Sequence, residues 1–373
     1  MNKAVISGSG VFTPENIITN AELVTAFNAY ADKWNAEHAG AIDAGDVGPM
    51  GHSSEEFIVA ASGIHQRFVM DKVGILDPDV MHPLLRQRGD DEPGIMAEMA
   101  VNACQKAMIQ AGKSAEDVDA VIVAASNMER AYPAIAIEVQ TLLGIQGFGF
   151  DMNVACSSAT FGIQAAADMV RAGTARAILV VNPEICSGHL EWRDRDCHFI
   201  FGDVATATLV ERGDLARDGS FEILSTRCAT EFSNNIRNNN GFLRRSRPDG
   251  VQDRRDMQFM QNGRKVFKEV LPMVSKHILG HLDDEGIQTD QLNRLWLHQA
   301  NKAMNDFIGK KVLGRVPETG EQPNILQDYA NTSSAGSIIA FSKFSDDLKA
   351  GDHGVICSFG AGYSVGSVIV RRL

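Results

Sequence analysis

Residues 119–126 read DAVIVAAS, a short and continuous apolar run whose β-branched side chains predict a buried central strand. Residues 158–172, SATFGIQAAADMVRA, predict a helix instead, because their few polar side chains fall on a single stripe. A second strand-like run, AILVV at 177–181, follows that helix. Strands that alternate with helices in this way predict an α/β layered fold with a buried sheet.

The same alternation continues along the rest of the chain. Helical spacing predicts further helices at residues 96–112, 134–143, 266–282, 302–313 and 336–349. Apolar runs predict further strands at residues 149–154, 221–226, 295–297, 354–358 and 364–371. A polar, turn-rich stretch at 211–220 predicts a boundary between two halves. Residues 28–54 and 71–93 lack clear periodicity, so we expect them to be long excursions from the core.

The composition excludes several classes of protein. The 373 residues are 44% hydrophobic and 22% charged, which is typical of a globular protein with two domains or two similar halves. Because 35 basic and 47 acidic side chains give a net charge of −12, we do not expect a nucleic-acid partner. No apolar run approaches the ~20 residues of a membrane span, which predicts a cytoplasmic protein without membrane contact. The six cysteines contain no CxxC pair and predict reduced thiols.

One segment is positively charged, although the whole chain is negative. Between Arg237 and Lys268 the chain carries nine Lys or Arg residues and only three Asp. Such a run predicts either a solvated loop or a docking surface for a small acidic or phosphate-bearing partner, and the sequence leaves both interpretations open.

Three residues stand out as candidates for chemistry. They are Cys156 in NVACSSA (153–159), His298 in LHQAN (297–301) and Asn331 in ANTSSAG (330–336), and each is predicted to follow a strand or precede a helix. Side chains on such loops can converge at one edge of an α/β sheet. Cys156 falls at the start of the buried helix, where unpaired N–H groups and the helix dipole favour a thiolate. Taken singly, each residue is also compatible with a structural role.

Together with their flanks, these segments resemble the β-ketoacyl-acyl-carrier-protein synthase III family. The resemblance comprises five motifs in the family's order, AYP (131–133), NVACSSA (153–159), HQAN (298–301), NTSSAG (331–336) and FGAGYSVG (359–366). It implies the thiolase fold, in which two similar halves form an αβαβα sandwich, here divided into residues 1–215 and 216–373. It also implies a homodimer that needs no metal and no cofactor, since acyl-CoA is a substrate.

The resemblance implies a decarboxylative Claisen condensation. Cys156 would take an acyl group from acyl-CoA, and malonyl-acyl carrier protein would then lose CO₂ to give an enolate that attacks the acyl-enzyme. His298 and Asn331 would donate hydrogen bonds to the enolate oxygen. The backbone N–H groups of Cys156 and Ala361 would hold the oxyanion that forms on the acyl thioester.

The periphery of the predicted site follows the family less closely. Tyr132 would reach into the partner subunit's acyl pocket, and Lys265 and Lys268 would dock the carrier protein. Phe57 stands where the family has an adenine-stacking Trp, and Ala61 replaces a nearby Arg. A further basic position is replaced by Ala303, next to Lys302. Because the pattern is closer to the longer members of the family, we expect a medium-chain primer such as octanoyl-CoA rather than acetyl-CoA.

Other functions are compatible with parts of this pattern. Cys, His and Asn also occur in papain-like hydrolases, but there the Asn orients the His, and the characteristic flank of the cysteine is absent here. A thiolase, a polyketide-type synthase and a hydroxymethylglutaryl-CoA-type synthase would share the fold and stay open. The intact trio argues against an inactive carrier-binding protein.

Overall fold

The computed structural model describes residues 2–238 and 254–373. Its strands are β1 (Ala4–Phe12), β2 (Asn16–Thr19), β3 (Gln66–Val69), β4 (Ala120–Ala124), β5 (Phe148–Met152), β6 (Ala177–Ile185), β7 (Asp203–Arg212), β8 (Phe221–Ser233), β9 (Ile236–Arg237), β10 (Met260–Gln261), β11 (Leu292–Leu297), β12 (His353–Gly360) and β13 (Gly362–Arg372). Its helices are α1 (Asn20–Glu37), α2 (Ala39–Asp43), α3 (Glu55–Ser62), α4 (Val73–Leu76), α5 (Ile95–Ala111), α6 (Ile135–Leu143), α7 (Ser158–Ala172), α8 (Gly263–Asp284), α9 (Lys302–Leu313), α10 (Leu326–Tyr329) and α11 (Gly336–Lys343).

The strand pairing repeats within one chain. The main sheet has the order β11-β12-β13-β8-β1-β7-β6-β4-β5. Along β1-β7-β6-β4 the pairings are antiparallel, antiparallel and parallel, and β8-β13-β12-β11 shows the same series. The two sets meet where β1 pairs with β8. The predicted boundary at residues 215/216 falls in the segment between β7 and β8.

Most strands of the main sheet are buried on both faces, which explains their continuous apolar runs; β5 and the second half of β8 are exceptions. Ala120, Ile122 and Ala124 of β4 pack on one side into a core shared with α7 and α11, whereas Val121 and Val123 pack on the other side with α5 and α6. In the second set, Trp296 and Ile356 belong to that shared core, and the opposite strand faces pack against α8 and α9. The layers are therefore helix, sheet, helix, sheet, helix, as predicted.

The structure corrects several predicted elements. The first part of the expected excursion at 28–54 belongs to α1, where a capping box between Thr19 and Glu22 begins the helix and Leu23, Phe27 and Ala31 bury one face. The helix predicted at 336–349 ends at Lys343, and turns follow it. In residues 71–93 the only α-helix is the single turn α4.

Three further expectations concern the whole chain. All six cysteines are unpaired, as predicted. Within the parts of the chain that the structure describes, no helix has both the length and the apolarity needed to cross a bilayer. Part of the predicted basic stretch, residues 239–253 with Arg244, Arg245 and Arg247, lies outside the described residues.

Candidate active site

The structure brings the three candidate residues together at one cavity. Cys156, His298 and Asn331 all line a space of about 240 Å³. Its remaining wall is mostly apolar and includes Phe199, Phe201, Phe259, Val266, Met304 and Phe359. A thiol, an imidazole and an amide therefore face one mostly apolar space, although they come from distant parts of the sequence.

Cys156 is presented by a tight turn between β5, which ends at Met152, and α7, which begins at Ser158. The preceding residue, Ala155, has a φ of 47°, which is unusual for a residue with a Cβ. Gly360 lies against the cysteine, and a Cβ placed there would be 2.6 Å from the Cys156 Cβ and 3.0 Å from its Sγ. A glycine is therefore required beside the thiol.

The thiol is neutral in the resting protein. Burial raises the pKa of Cys156 to about 11, and the negative charge of Glu184 acts in the same direction. The Ser333 hydroxyl, whose Oγ lies 3.4 Å from the Cys156 Sγ, and the backbone N–H groups of Ala361 and Cys156 lower this pKa, but by less. The thiolate expected from the helix start is therefore not the resting form. These two N–H groups lie close enough to the sulfur to lower its pKa, and the oxyanion of an acyl thioester attached to that sulfur would form beside them.

His298 follows β11 and is also neutral. Its backbone N–H donates to the carbonyl of Cys357 at 2.7 Å, and its ring packs edge-on against Phe359. The side chain is buried, and burial lowers its pKa to about 4. Its Nδ1 has no hydrogen-bond partner. A neutral imidazole offers one N–H donor and one acceptor, so it can donate a hydrogen bond to a ligand without carrying a charge.

Asn331 is fixed by the backbone around it. Its N–H donates to the carbonyl of Ile200 at 2.9 Å, and its carbonyl accepts from the N–H of Gly202 at 3.1 Å. The side-chain Oδ1 accepts from the N–H of Ser333 at 2.9 Å. This bond fixes the orientation of the side chain, whose amide nitrogen is its only donor and stays available to a ligand.

Two polar residues at the site were missed by the sequence analysis. One is Ser333, which contacts the Cys156 sulfur. The other is Glu184 of β6, which is buried and accepts hydrogen bonds from Ser126 and Ser334. Burial raises the pKa of Glu184 to about 7. An acidic residue within an apolar strand was the available signal, because a buried carboxylate requires partners.

The predicted docking lysines and Tyr132 lie outside the cavity wall. Lys265 and Lys268 are exposed on the first turns of α8, and Val266 and Phe267 between them line the cavity, so the two lysines flank its wall. Tyr132 is 85% exposed in this single chain and does not line the cavity.

The segment expected to contact coenzyme A is α3. The guanidinium of Arg195 lies 4.1 Å from the centroid of the Phe57 ring, and Ala61 lines the cavity. Arg195 thus places a positive charge beside Phe57, and the sequence analysis did not single it out. Lys302, the basic residue beside Ala303, forms an ion pair with Asp306 at 2.6 Å.

No metal site emerges in the ranges that the structure describes, since they hold no group of three or more His, Cys, Asp or Glu side chains arranged to bind an ion. The chemistry of the cavity itself lies in one thiol and several hydrogen-bond donors.

Comparison with known proteins identifies the family. Residues 150–231 match the profile of 3-oxoacyl-[acyl-carrier-protein] synthase III, and residues 282–372 match the profile of its C-terminal region. The chain is 58% identical to the β-ketodecanoyl-[acyl-carrier-protein] synthase of Pseudomonas aeruginosa over 93% of this chain and 99% of that protein. It is 30% identical to the β-ketoacyl-[acyl-carrier-protein] synthase III of Acidiphilium cryptum over the full length of both.

A solved structure leads to the same family. The β-ketoacyl-[acyl-carrier-protein] synthase III of Thermus thermophilus aligns with a TM-score of 0.76 at 25% identity, covering 99% of this chain and 98% of that one. The αβαβα layers described above are thus the thiolase fold that the resemblance implied. The chain belongs to the 3-oxoacyl-[acyl-carrier-protein] synthase III family of condensing acyltransferases.

Proposed function

We propose that this protein condenses a medium-chain acyl-CoA with malonyl-acyl carrier protein, releasing CO₂ and coenzyme A and forming a β-ketoacyl-acyl carrier protein. One observation carries the proposal: a thiol, a neutral imidazole and an amide nitrogen share one mostly apolar cavity, beside two backbone donors. This set of groups can hold an acyl group covalently and stabilise an enolate without a charged base.

In the first half-reaction, the Cys156 sulfur attacks the carbonyl of the acyl-CoA. A carbon–sulfur bond to Cys156 forms, the bond to the coenzyme A sulfur breaks, and the thiol proton passes to the departing coenzyme A. The transient oxyanion accepts hydrogen bonds from the N–H groups of Cys156 and Ala361. Because the pKa of the resting thiol is about 11, the thiol must lose its proton in the course of this step.

In the second half-reaction, His298 and Asn331 donate hydrogen bonds to the thioester carbonyl of the malonyl group. The carboxylate leaves as CO₂, and the electron pair becomes an enolate whose oxygen these two donors stabilise. The enolate carbon attacks the acyl group, and the Cys156 thiolate departs and takes up a proton from solvent. Because burial lowers the pKa of His298 to about 4, its imidazole is a weak base, and we assign it the role of hydrogen-bond donor.

The medium-chain preference rests on the relative and on the cavity wall. The Pseudomonas aeruginosa protein is named for a β-ketodecanoyl product. A condensation that adds two carbons makes such a product from an eight-carbon primer. Five of the described phenylalanines line the cavity of this chain, among them Phe199, Phe201 and Phe259. Each buried CH₂ contributes about 0.8 kcal/mol, so an apolar pocket can favour octanoyl over acetyl by several kcal/mol.

The partners belong to the same proposal. An acyl carrier protein delivers the malonyl group and docks near Lys265 and Lys268, and a second copy of the chain covers Tyr132. An exposed aromatic ring such as Tyr132 is common at protein interfaces. The proposed chemistry uses only a thiol and hydrogen-bond donors, so it requires no cofactor, and we place the protein in the cytoplasm.

The test is a competition between octanoyl-CoA and acetyl-CoA for acylation of Cys156, read by peptide mass mapping, followed by addition of malonyl-acyl carrier protein. We expect octanoyl on Cys156, CO₂ release and a β-ketodecanoyl product. The assignment of Cys156 as the nucleophile would be refuted if the acyl group were found on another cysteine instead, namely Cys104, Cys186, Cys197, Cys228 or Cys357. A clear preference for acetyl would refute the medium-chain primer. Hydrolysis of the acyl-enzyme without a condensation product would favour a hydrolase.

A further inference from the structure

Glu184 is a buried acid that the proposed reaction does not use. It lies in β6, is 1% exposed, and joins two loops beside the active site. From the first loop, the Ser126 N–H and hydroxyl donate to its carboxylate at 3.0 and 2.6 Å. From the second loop, the Ser334 N–H donates at 3.2 Å, and the Ser334 hydroxyl forms a further short hydrogen bond. The carboxylate therefore connects the loop after β4 with the loop that contains Asn331.

The second loop has a backbone that needs such a restraint. Ala330 and Ser333 have φ values of 56° and 50°, although neither is a glycine. Left-handed backbone at residues with a Cβ persists only where surrounding contacts hold it. Ser333 donates its N–H to the Asn331 side chain and contacts the Cys156 sulfur through its hydroxyl. Ser334, the residue after it, bonds to Glu184 through its N–H and its hydroxyl, and the hydroxyl also lies 3.3 Å from the carbonyl of Ala124.

We propose that Glu184 is a positioning residue for decarboxylation, which holds residues 331–334 so that the Asn331 amide faces the malonyl thioester. This inference rests on the proposed function, because it assigns Asn331 to the malonyl step. Glu184 does not line the cavity, so it affects the position of Asn331 only through Ser126 and Ser334. Loss of its hydrogen bonds would loosen Asn331 more than Cys156, because Cys156 is held separately by the turn before α7.

The charge of Glu184 gives the inference a second consequence. The carboxylate bonds to Ser334, the neighbour of Ser333, whose hydroxyl lies 3.4 Å from the Cys156 sulfur, and its negative charge raises the pKa of that thiol. The other titratable groups around the carboxylate are Cys186, whose sulfur lies 3.9 Å away, and Asp203, which acts on Cys186. Removing the charge while keeping the hydrogen bonds should therefore lower the pKa of the Cys156 thiol.

Two substitutions of Glu184, to Gln and to Ala, distinguish the effect of its hydrogen bonds from the effect of its charge. In Glu184→Gln, the amide oxygen can still accept from the Ser126 and Ser334 N–H groups, and the amide nitrogen can donate to the Ser126 hydroxyl. For Glu184→Gln, we expect the rate of CO₂ release from malonyl-acyl carrier protein to stay within about threefold of wild type, because the hydrogen bonds survive. For Glu184→Ala, we expect this rate to fall about tenfold or more, because buried donors lose their acceptor. Acylation of Cys156 should change much less than CO₂ release in Glu184→Ala.

A substrate-independent readout tests the charge. Alkylation of Cys156 by iodoacetamide should reach its half-maximal rate at lower pH in Glu184→Gln than in wild type. Because this assay uses neither acyl-CoA nor carrier protein, it reports on Glu184 even if wild type releases no CO₂, a result that would instead refute the proposed function. An unshifted alkylation profile would overturn the electrostatic part of the inference.

Asp203→Asn is the matched control, because Asp203 is equally buried but bonds to Ser187 and Met70 and not to the Asn331 loop. Its ratio of CO₂ release to acylation should match wild type. If Glu184→Ala does not fold, Ser334→Ala removes one of the same contacts and should lower CO₂ release selectively. Two results would overturn the positioning role. One is an equal loss of acylation and CO₂ release in Glu184→Ala. The other is a loss of CO₂ release that is as large in Glu184→Gln as in Glu184→Ala.

Discussion

Gly360 contributes to the active site by lacking a side chain. A Cβ at this position would lie 2.6 Å from the Cβ of Cys156, a distance that real Cβ atoms do not tolerate, so either the turn before α7 or the end of β12 would have to move. We therefore expect Gly360→Ala to reduce acylation of Cys156 by at least about tenfold, since small displacements of reacting groups cost about that much or more.

Mass spectrometry of the protein after incubation with octanoyl-CoA measures this effect. Gly188→Ala is the control, because a Cβ there would meet no atom closer than 3.8 Å. Normal acylation of Gly360→Ala would show that the backbone beside Cys156 can adjust.

Asn331 is expected to matter for only one of the two half-reactions. Its amide nitrogen meets charge that develops on the malonyl thioester, and losing one such donor costs about 2.7–4 kcal/mol of barrier. Asn331→Ala should therefore slow CO₂ release by about 10²–10³-fold and leave acylation of Cys156 nearly unchanged. The exposed Asn102→Ala, on α5, should change neither. A parallel loss of both half-reactions would mean that Asn331 has a different role.

Among individual residues, the sequence could predict Cys156, His298 and Asn331 as candidates for the site, because each lies in a motif with a distinctive flank. It could not predict Ser333 as a partner of the cysteine, because that contact depends on a left-handed backbone and joins residues 177 positions apart. Glu184 was missed because its hydrogen-bond partners are also distant in the sequence, 58 and 150 residues away.

Helix α8 carries a pair of histidines that should make stability depend on pH. His281 contacts the hydroxyls of Ser225 and Ser367 at 2.8 and 2.7 Å, and His277 shares Ser367. Burial lowers the pKa of both histidines to about 4. As the pH falls below the ordinary histidine pKa near 6.5, these two histidines become protonated in the unfolded chain but stay neutral in the folded chain. The stability contributed by the neutral histidines is therefore lost between about pH 6.5 and pH 4.

We expect His281→Gln to flatten this dependence. For one histidine with these pKa values, the free energy of unfolding should fall by about 2 kcal/mol between pH 7 and pH 5, and the variant should lack that part. Urea unfolding at both pH values measures the difference. The acids Glu184 and Asp203, whose pKa values are raised, oppose the trend in both proteins, so only the difference between variant and wild type is diagnostic. An unchanged difference at the two pH values would contradict the expectation.

Element type was easier to predict than element length. The strand predicted at residues 177–181 continues to Ile185, past Pro183 and Glu184, because tertiary partners satisfy the carboxylate. The helix predicted to reach residue 349 ends at Lys343, because the carbonyl of Phe344 accepts hydrogen bonds from Arg294 and Trp296. Such partners come from distant sequence, and local periodicity contains no information about them.

The charge of the whole molecule and the charge near the cavity have opposite consequences for the carrier protein. A net charge of −12 repels an acidic partner at long range, so productive docking needs a local positive surface. Lys265 and Lys268 are exposed on the turns of α8 whose buried side, including Val266, lines the cavity. A partner bound there would hold its malonyl group close to His298 and Asn331.

The double charge reversal Lys265→Glu with Lys268→Glu should therefore weaken docking. We expect the apparent KM for malonyl-acyl carrier protein to rise by about tenfold at low salt, with kcat little changed, because rim charges steer encounter and not chemistry. At about 1 M salt, where screening acts over only about 3 Å, variant and wild type should converge. Lys310→Glu with Lys311→Glu, exposed at the end of α9, changes the net charge equally and should have a much smaller effect. Equal KM values for all three proteins at low salt would show that the carrier protein docks elsewhere.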